Sequence, residues 1–251
     1  MWNEKKVSVI FPTYNEKDSI RVAIEESFAT GWVDEIVAVD NNAVPGTAEE
    51  VLKTKARLVK EPKQGYGYAI QRGFREASGD YIVVAEPDGT FHGKDVLKLL
   101  AYAEDVDVVY GTRTHREFIW SGANMEGLIR WGNWAVAKLI EVLFNTVNLS
   151  DVGCTMRLIR REALIRIQPF FTVGGNFFGP EMMLLSILHG LRIVQIPVSY
   201  FPRVGMSSVT GDPKKAVFLG LRMIWLILEY RVRSVMQRKL RVTGIRKGSE
   251  T

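Results

Sequence analysis

Residues 81–89 read Tyr-Ile-Val-Val-Ala-Glu-Pro-Asp-Gly, an apolar run that stops at two carboxylates. The run has the character of a buried strand. Glu86 and Asp88 stand at i and i+2, a spacing that in extended backbone turns both side chains to one side. Open parallel sheets place ligands just beyond the carboxyl ends of their strands. Two acids there, followed by Gly89 where the chain must turn, can hold a divalent cation against a diphosphate. The plainer reading is a pair of solvated acids in a turn, and the rest of the chain decides between them.

Further acids fall at or just past strand ends: Glu16 after the first strand and Asp40 at the end of the second. Such ends share one edge of a parallel sheet, so distant residues converge on one crevice. Asp40 can accept hydrogen bonds from a base or a ribose hydroxyl, or it can cap the Asn41-Asn42 turn. The loop Lys63-Gln64-Gly65-Tyr66-Gly67-Tyr68-Ala69 opens a helix. Gly65 and Gly67 there let backbone approach a ligand closely, and a helix start offers N–H groups to an anion. This is not the dinucleotide fingerprint, which needs a third glycine and follows the first strand. Basic candidates are Arg72, Arg113, Arg130, Arg157 and Arg203, although most arginines are solvated surface. His92, His115 and His189 lack metal-ligand spacing. No Gly-x-Ser-x-Gly elbow or Walker loop is present.

The elements that position these residues alternate. Strands are expected over 7–11, 35–40, 57–60, 81–85 and 106–110, with helices over 20–28, 47–53, 66–77 and about 94–103 between them. That alternation predicts an α/β fold with a doubly wound, mostly parallel sheet. The second half is less regular. Long apolar helices are expected over about 126–145 and 213–236, short helices over 161–167 and 181–189, and strands over 157–159 and 193–200.

At 251 residues, 47% hydrophobic and 24% charged, the chain is neither disordered nor a multi-span membrane protein. One cysteine, Cys154, excludes an internal disulfide and points to a reducing compartment. The net charge of +5 is concentrated after Arg231, where Arg233, Arg238, Lys239, Arg241, Arg246 and Lys247 face a lone Glu250. Anionic lipid or nucleic acid would suit such a tail, but no nucleic-acid recognition fold accompanies it. The start shows no signal-peptide core. The longest apolar stretch, 216–228, contains Arg222 and is too short to cross a bilayer core of roughly 30 Å as a helix.

From residue 7 to about 209 the chain resembles the inverting family-2 glycosyltransferases of GT-A fold, and within them the polyprenyl-phosphate synthases of dolichol-phosphate mannose type. The resemblance rests on Phe11-Pro12-Thr13-Tyr14-Asn15-Glu16, Val39-Asp40-Asn41-Asn42 with Gly46-Thr47, and Gly65-Tyr66-Gly67-Tyr68-Ala69. It continues through Ala77-Ser78-Gly79-Asp80-Tyr81, Glu86-Pro87-Asp88 and Gly111-Thr112-Arg113. Later matches are Ser150-Asp151, Met156-Arg157-Leu158, Glu181, Pro197-Val198 and Arg203-Val204-Gly205-Met206-Ser207. It implies a nucleotide half over about 1–115 and an acceptor half over about 116–210, while the apolar-then-basic pattern beyond reads as an amphipathic membrane-interface helix and basic tail over 211–251. Pro12, Tyr14, Glu16 and Asp40 would line the base and ribose, with Gly65, Gly67 and Ala85 beside the donor. Glu86 and Asp88 stand at the family's Asp-x-Asp position, where Mg²⁺ or Mn²⁺ is shared with the donor diphosphate. Arg113, Arg130 and Arg203 match positions that meet phosphate. Asp151 and Arg157 match the sugar and acceptor region. Departures are Glu86 for the first acid, Asn41 for the usual second acid after Asp40, and Ser208-Val209 where relatives carry lysine.

The implied reaction moves one sugar from GDP-mannose or a UDP-sugar to polyprenyl or dolichyl phosphate. A hydroxyl acceptor requires a general base, for which Asp151 and Glu181 are available. A phosphate acceptor is already anionic and needs only positioning by arginines. Trp120, Trp131, Trp134 and Trp225, with Lys214, Lys215, Arg222 and the basic tail, fit helices lying in a membrane interface. The expected location is the cytoplasmic face of a membrane, peripheral or monotopic, or held there by a membrane partner. Two alternatives remain open: a family-2 transferase using a soluble or saccharide hydroxyl, and a non-catalytic membrane-binding scaffold for nucleotide sugars.

Overall fold

In a computed structural model the apolar alternation folds as one sheet with helices on both faces; residues 1–123, 125, 127–205 and 213–247 are described. The first half runs β1 (Val7–Thr13), α1 (Ile20–Ala29), β2 (Glu35–Asp40), α2 (Thr47–Leu52), β3 (Arg57–Lys60), α3 (Tyr66–Glu76), β4 (Tyr81–Val84), α4 (Asp95–Leu100), β5 (Val108–Thr112). The second adds α5 (Gly127–Phe144), β6 (Arg157–Arg160), α6 (Arg161–Ile167), α7 (Phe178–Leu188), β7 (Ile193–Pro197) and α8 (Pro213–Lys247). Glu126, the 206–210 segment with Ser208 and Val209, and Glu250 lie outside the described residues, as do the tail side chains from Arg238 onward.

The sheet order is β3-β2-β1-β4-β6-β5-β7. All pairs are parallel except those of β6, which is antiparallel to both β4 and β5. Strands of both halves therefore share one sheet. From β1 the order runs to β2 on one side and β4 on the other, so the loops after β1 and β4 flank a topological switch point. The first strand is longer than expected and includes Pro12. Its β4 partner stops at Ile10↔Val84, so the ring lies where that ladder has ended. The β5 strand starts later than expected, because Asp107 is turned to accept the Arg192 N–H at 2.8 Å.

Period-2 alternation divides the core. Ile10, Ile82 and Val84 face one side with Ile70, Phe74 and α7, while Val9, Phe11 and Val83 face the other with Ile24 and Leu99. The long helices also serve the core. Met223, Leu226, Ile227 and Tyr230 of α8 are buried at helical spacing, in one cluster with Val136, Ala137 and Ile140 of α5. The other side of α8 exposes Phe218, Leu221, Trp225, Leu228 and Val232, again at helical spacing. Trp131 and Trp134 are exposed on α5. Among the described residues no helix is long and apolar enough to cross a membrane.

Candidate active site

The β4 strand ends at Val84, and Ala85 is still anchored, its N–H donating to Ile10 O at 3.2 Å. Pro87 then starts a turn, so Glu86 and Asp88 meet through that turn rather than through the pleat of an extended strand. Asp88 is fully buried. Its Oδ1 accepts the Thr90 N–H at 2.9 Å and the Thr90 hydroxyl at 2.5 Å. Oδ2 has no hydrogen bond of good geometry among the described residues; Arg203 Nη1 stands 2.6 Å away. The same Nη1 is 3.4 Å from Glu86 Oε2, and Nη2 is 3.1 Å from Glu16 Oε1.

One guanidinium thus binds three carboxylates brought from the ends of β1 and β4. Burial, then the Asp88 charge, pushes the Glu86 carboxyl up to about 8, with Arg203 pulling the other way. Burial works against the charged Arg203, but the carboxylates outweigh it and raise its pKa. The acids are suited to a hard cation: two clustered carboxylates, one with a buried oxygen that has an ion pair but no well-directed hydrogen bond. Among the described residues no three His, Cys, Asp or Glu side chains could form a complete metal site, so a cation held by Glu86 and Asp88 would need ligand oxygens as well.

Around them, Glu16 Oε2 accepts the N–H groups of Tyr14 and Asn15 at 2.6 and 2.7 Å, shaping the loop after β1. The Tyr14 ring is half exposed at its rim. Asp40 Oδ1 accepts the Ala43 N–H at 2.8 Å, which is the turn-capping role; the residue also ends β2 at the site edge. Asn41 points inward and does not face the crevice. Its amide donates to Glu61 O and Lys63 O, both at 2.8 Å, and its oxygen accepts the Gly65 N–H at 2.8 Å. The Asn at this position therefore clasps the 61–65 loop.

Gly65 and Gly67 are not open to a ligand in the way their spacing suggests. A Cβ at Gly67 would lie 2.5 Å from Val173 O, and one at Gly65 would strike Gly174 O. The close approach these glycines allow is to the protein's own 173–174 backbone. Two N–H groups at this helix start are also used internally, Gly65 by Asn41 and Tyr68 by Gly174 O.

The expected bases are both occupied. Asp151 accepts Arg113 N and Nε at Oδ2, both at 2.9 Å, and Arg113 Nη2 and Gly153 N–H at Oδ1, at 3.1 and 2.9 Å. Arg113 is raised further by that carboxylate, although burial opposes it most, and it lies over the Tyr200 ring. Glu181 is fully buried on α7 and accepts four hydrogen bonds, two from Thr172 and one each from Val173 and Tyr230. Arg157 spends its guanidinium on the carbonyls of Cys154, Thr155 and Gly179, so it shapes the turn before β6. Arg72 pairs with Glu76 at the surface. Arg130 sits part-exposed on α5 and, among the described residues, makes no ion pair with the acids.

Two residues were not singled out from sequence. Thr90 orients Asp88, and its position two residues after an acid is the available signal for such a turn. Gln195 accepts the Ser150 and Asp151 N–H groups and donates to Gly111 O and Asp151 O, which fixes the Asp151 loop. Nothing near Gln195 in sequence signals that role.

A mostly parallel sheet with acids clustered at its switch point is common to many α/β enzymes, and here it matches the GT-A glycosyltransferase fold. Residues 8–168 match "Glycosyl transferase family 2", and the chain belongs to that family. It is 29% identical to the dolichyl-phosphate hexose transferase of Haloferax volcanii, over 90% of this chain and 96% of the relative. It is 25% identical to the dolichyl-phosphate beta-glucosyltransferase of Saccharomyces cerevisiae, over 90% of this chain and 76% of that one. The fold matches glucosyl-3-phosphoglycerate synthase of Mycobacterium tuberculosis, solved with Mn²⁺, UDP-glucose and phosphoglyceric acid. The TM-score is 0.69 at 19% identity, covering 91% of this chain and 80% of the other.

Proposed function

We propose that this glycosyltransferase moves a single hexose, with inversion, from a nucleotide-sugar donor to a polyprenyl or dolichyl phosphate at the cytoplasmic face of a membrane. The observation that carries the reading is the state of the carboxylates. Among the described residues, the two candidate bases Asp151 and Glu181 and the three acids gathered at the crevice are already bound. Asp151 is held by Arg113, Glu181 is buried with four donors, and Glu16, Glu86 and Asp88 share Arg203. A hydroxyl acceptor needs such a base. A phosphate monoester is an anion at neutral pH and needs charge screening and orientation, which guanidinium groups supply. The names of the two dolichyl-phosphate relatives support the acceptor class.

Glu86 and Asp88 would hold Mg²⁺ or Mn²⁺. That cation would stabilise the charge that builds on the leaving diphosphate. Arg203 lies on these acids and is placed to screen the same region, and the Tyr14 ring is free at the rim for a base. The exposed stripe of α8 and the α5 tryptophans support peripheral membrane attachment, with Trp at headgroup depth. Lys214 and Lys215, exposed at the start of α8, would add roughly 1 kcal/mol each on an anionic surface.

The test is a panel of GDP- and UDP-sugars incubated with Mn²⁺, with and without polyprenyl phosphate in detergent. Lipid-linked sugar should form from one donor only when the lipid phosphate is present. Efficient transfer to a free saccharide or soluble hydroxyl would overturn the acceptor assignment. Nucleotide binding with no turnover on any acceptor would favour a scaffold.

A further inference from the structure

Glu181 is a buried carboxylate that makes no ion pair among the described residues. Burying such a charge is costly unless hydrogen bonds satisfy it. Here Oε1 accepts the Thr172 N–H at 3.0 Å, the Thr172 hydroxyl at 2.5 Å and the Tyr230 hydroxyl at 3.0 Å, while Oε2 accepts the Val173 N–H at 2.9 Å. An apolar residue could fill this position on α7 at less cost. What the carboxylate adds is a fixed geometry for residues 172–174, tied on the far side to α8 through Tyr230.

That segment is the wall against which the start of α3 rests. Gly174 O accepts the Tyr68 N–H at 3.2 Å, and Val173 O accepts Gln71 Nε2 at 3.0 Å. Gly65 and Gly67 press their Cα atoms onto the same two carbonyls with no room for a side chain. Gly65 is in turn tied to Asn41, the residue after Asp40 at the end of β2. A continuous set of hydrogen bonds and backbone contacts therefore runs from α8, through one carboxylate, to the edge of the candidate donor pocket. Tyr230 belongs to the buried side of α8, the side opposite the exposed stripe.

We propose that Glu181 and Tyr230 are positioning residues for the donor pocket: they set the 65–68 loop according to the seat of α8, and through it the affinity for the nucleoside diphosphate of the donor. This rests on the donor reading above; the 65–68 loop reaches the candidate donor pocket through Asn41, which follows Asp40 at the end of β2. The helix that presents the apolar stripe to a lipid surface would then also set how well the donor is held. Tyr230 and Glu181 touch neither donor nor acceptor in this scheme; they act through residues 172–174.

The experiment uses the full chain with Mn²⁺ and, as probes, UDP and GDP titrated separately by calorimetry. The variant is Tyr230→Phe, which keeps the ring packed and removes one donor. Thr172→Val removes another donor to the same oxygen. Both should weaken binding of whichever nucleotide the wild type prefers by about threefold to tenfold. Both should also speed amide exchange of residues 65–69, measured well below the melting temperature. A lowered melting temperature with unchanged nucleotide affinity and unchanged exchange at 65–69 would make the network merely structural and overturn the inference. Failure of the wild type to bind either nucleotide would instead overturn the donor reading beneath it.

Discussion

Arg203 Nη1 lies 2.6 Å from Asp88 Oδ2, and the two residues are also joined through backbone, the Val204 N–H donating to Asp88 O at 2.8 Å. The segment after β7 is thus tied to the turn after β4, with a guanidinium where the acids would hold a metal. A fixed cation and a divalent ion compete for the same carboxylates. Replacing Arg203 by Gln should therefore tighten Mn²⁺ binding in the absence of nucleotide by about tenfold or more, read by electron paramagnetic resonance of free Mn²⁺. Transfer should fall in the same variant, because the guanidinium proposed to screen the donor diphosphate is gone. Unchanged Mn²⁺ affinity in Arg203→Gln would show that the ion does not use these acids.

The Glu86 carboxyl gives a pH signature. Its pKa in the folded protein is about 8, well above the ordinary 4.5, because burial and then the Asp88 charge favour the neutral form. Between those two values the folded state holds a proton that the unfolded chain has released. Its stabilising contribution is complete below 4.5 and is lost as pH climbs to about 8. Metal-free protein should therefore melt lower at pH 8 than at pH 6, and Glu86→Gln should shrink that difference. A cation needs the ionised carboxylate, so Mn²⁺ affinity should rise over the same interval and level off above it. A flat Mn²⁺ titration from pH 6 to pH 8 would remove Glu86 as a ligand.

Much of this arrangement is legible in the chain. The apolar run ending in Glu86-Pro87-Asp88 and the alternation of strands and helices specify a mostly parallel sheet with acids at its edge. The insertion of β6 between β4 and β5 is not legible, because Arg157–Arg160 is four residues long and short apolar runs do not reveal their direction. Nor is the pairing of Arg203 with Glu86, which spans 117 residues. The glycines show a different limit. Spacing announces that something approaches Gly65 and Gly67 closely; only the fold reveals that it is the 173–174 backbone. Asn41 is similar, since its type signals hydrogen bonding and its buried side chain decides with what.

That clasp is testable by a change of one atom type. Asn41→Asp keeps the shape but turns the two donors into acceptors facing Glu61 O and Lys63 O, inside a site that is 3% exposed. Lost hydrogen bonds and a buried charge facing carbonyls should destabilise the fold by about 2–3 kcal/mol, read from the urea midpoint. Asn41→Asp with wild-type stability would mean that the 61–65 loop is held elsewhere.

The exposed stripe on α8 can be tested without removing the helix. Truncation before α8 would strip Met223, Leu226, Ile227 and Tyr230 from the core, so loss of membrane binding after it would be ambiguous. Leu221 and Trp225 are 59% and 70% exposed, and neither belongs to the buried core. The double substitution Leu221→Gln and Trp225→Gln should leave the melting temperature within a degree or two, since exposed positions shift stability by about 0.5 kcal/mol or less. Two interfacial side chains of this size contribute about 3 kcal/mol of burial between them, so the partition constant onto anionic vesicles, from co-sedimentation against lipid concentration, should drop by a factor of about one hundred. Added salt should weaken the wild type further through its lysines and arginines. If the double variant co-sediments like the wild type, the stripe is not the membrane contact and must face something else.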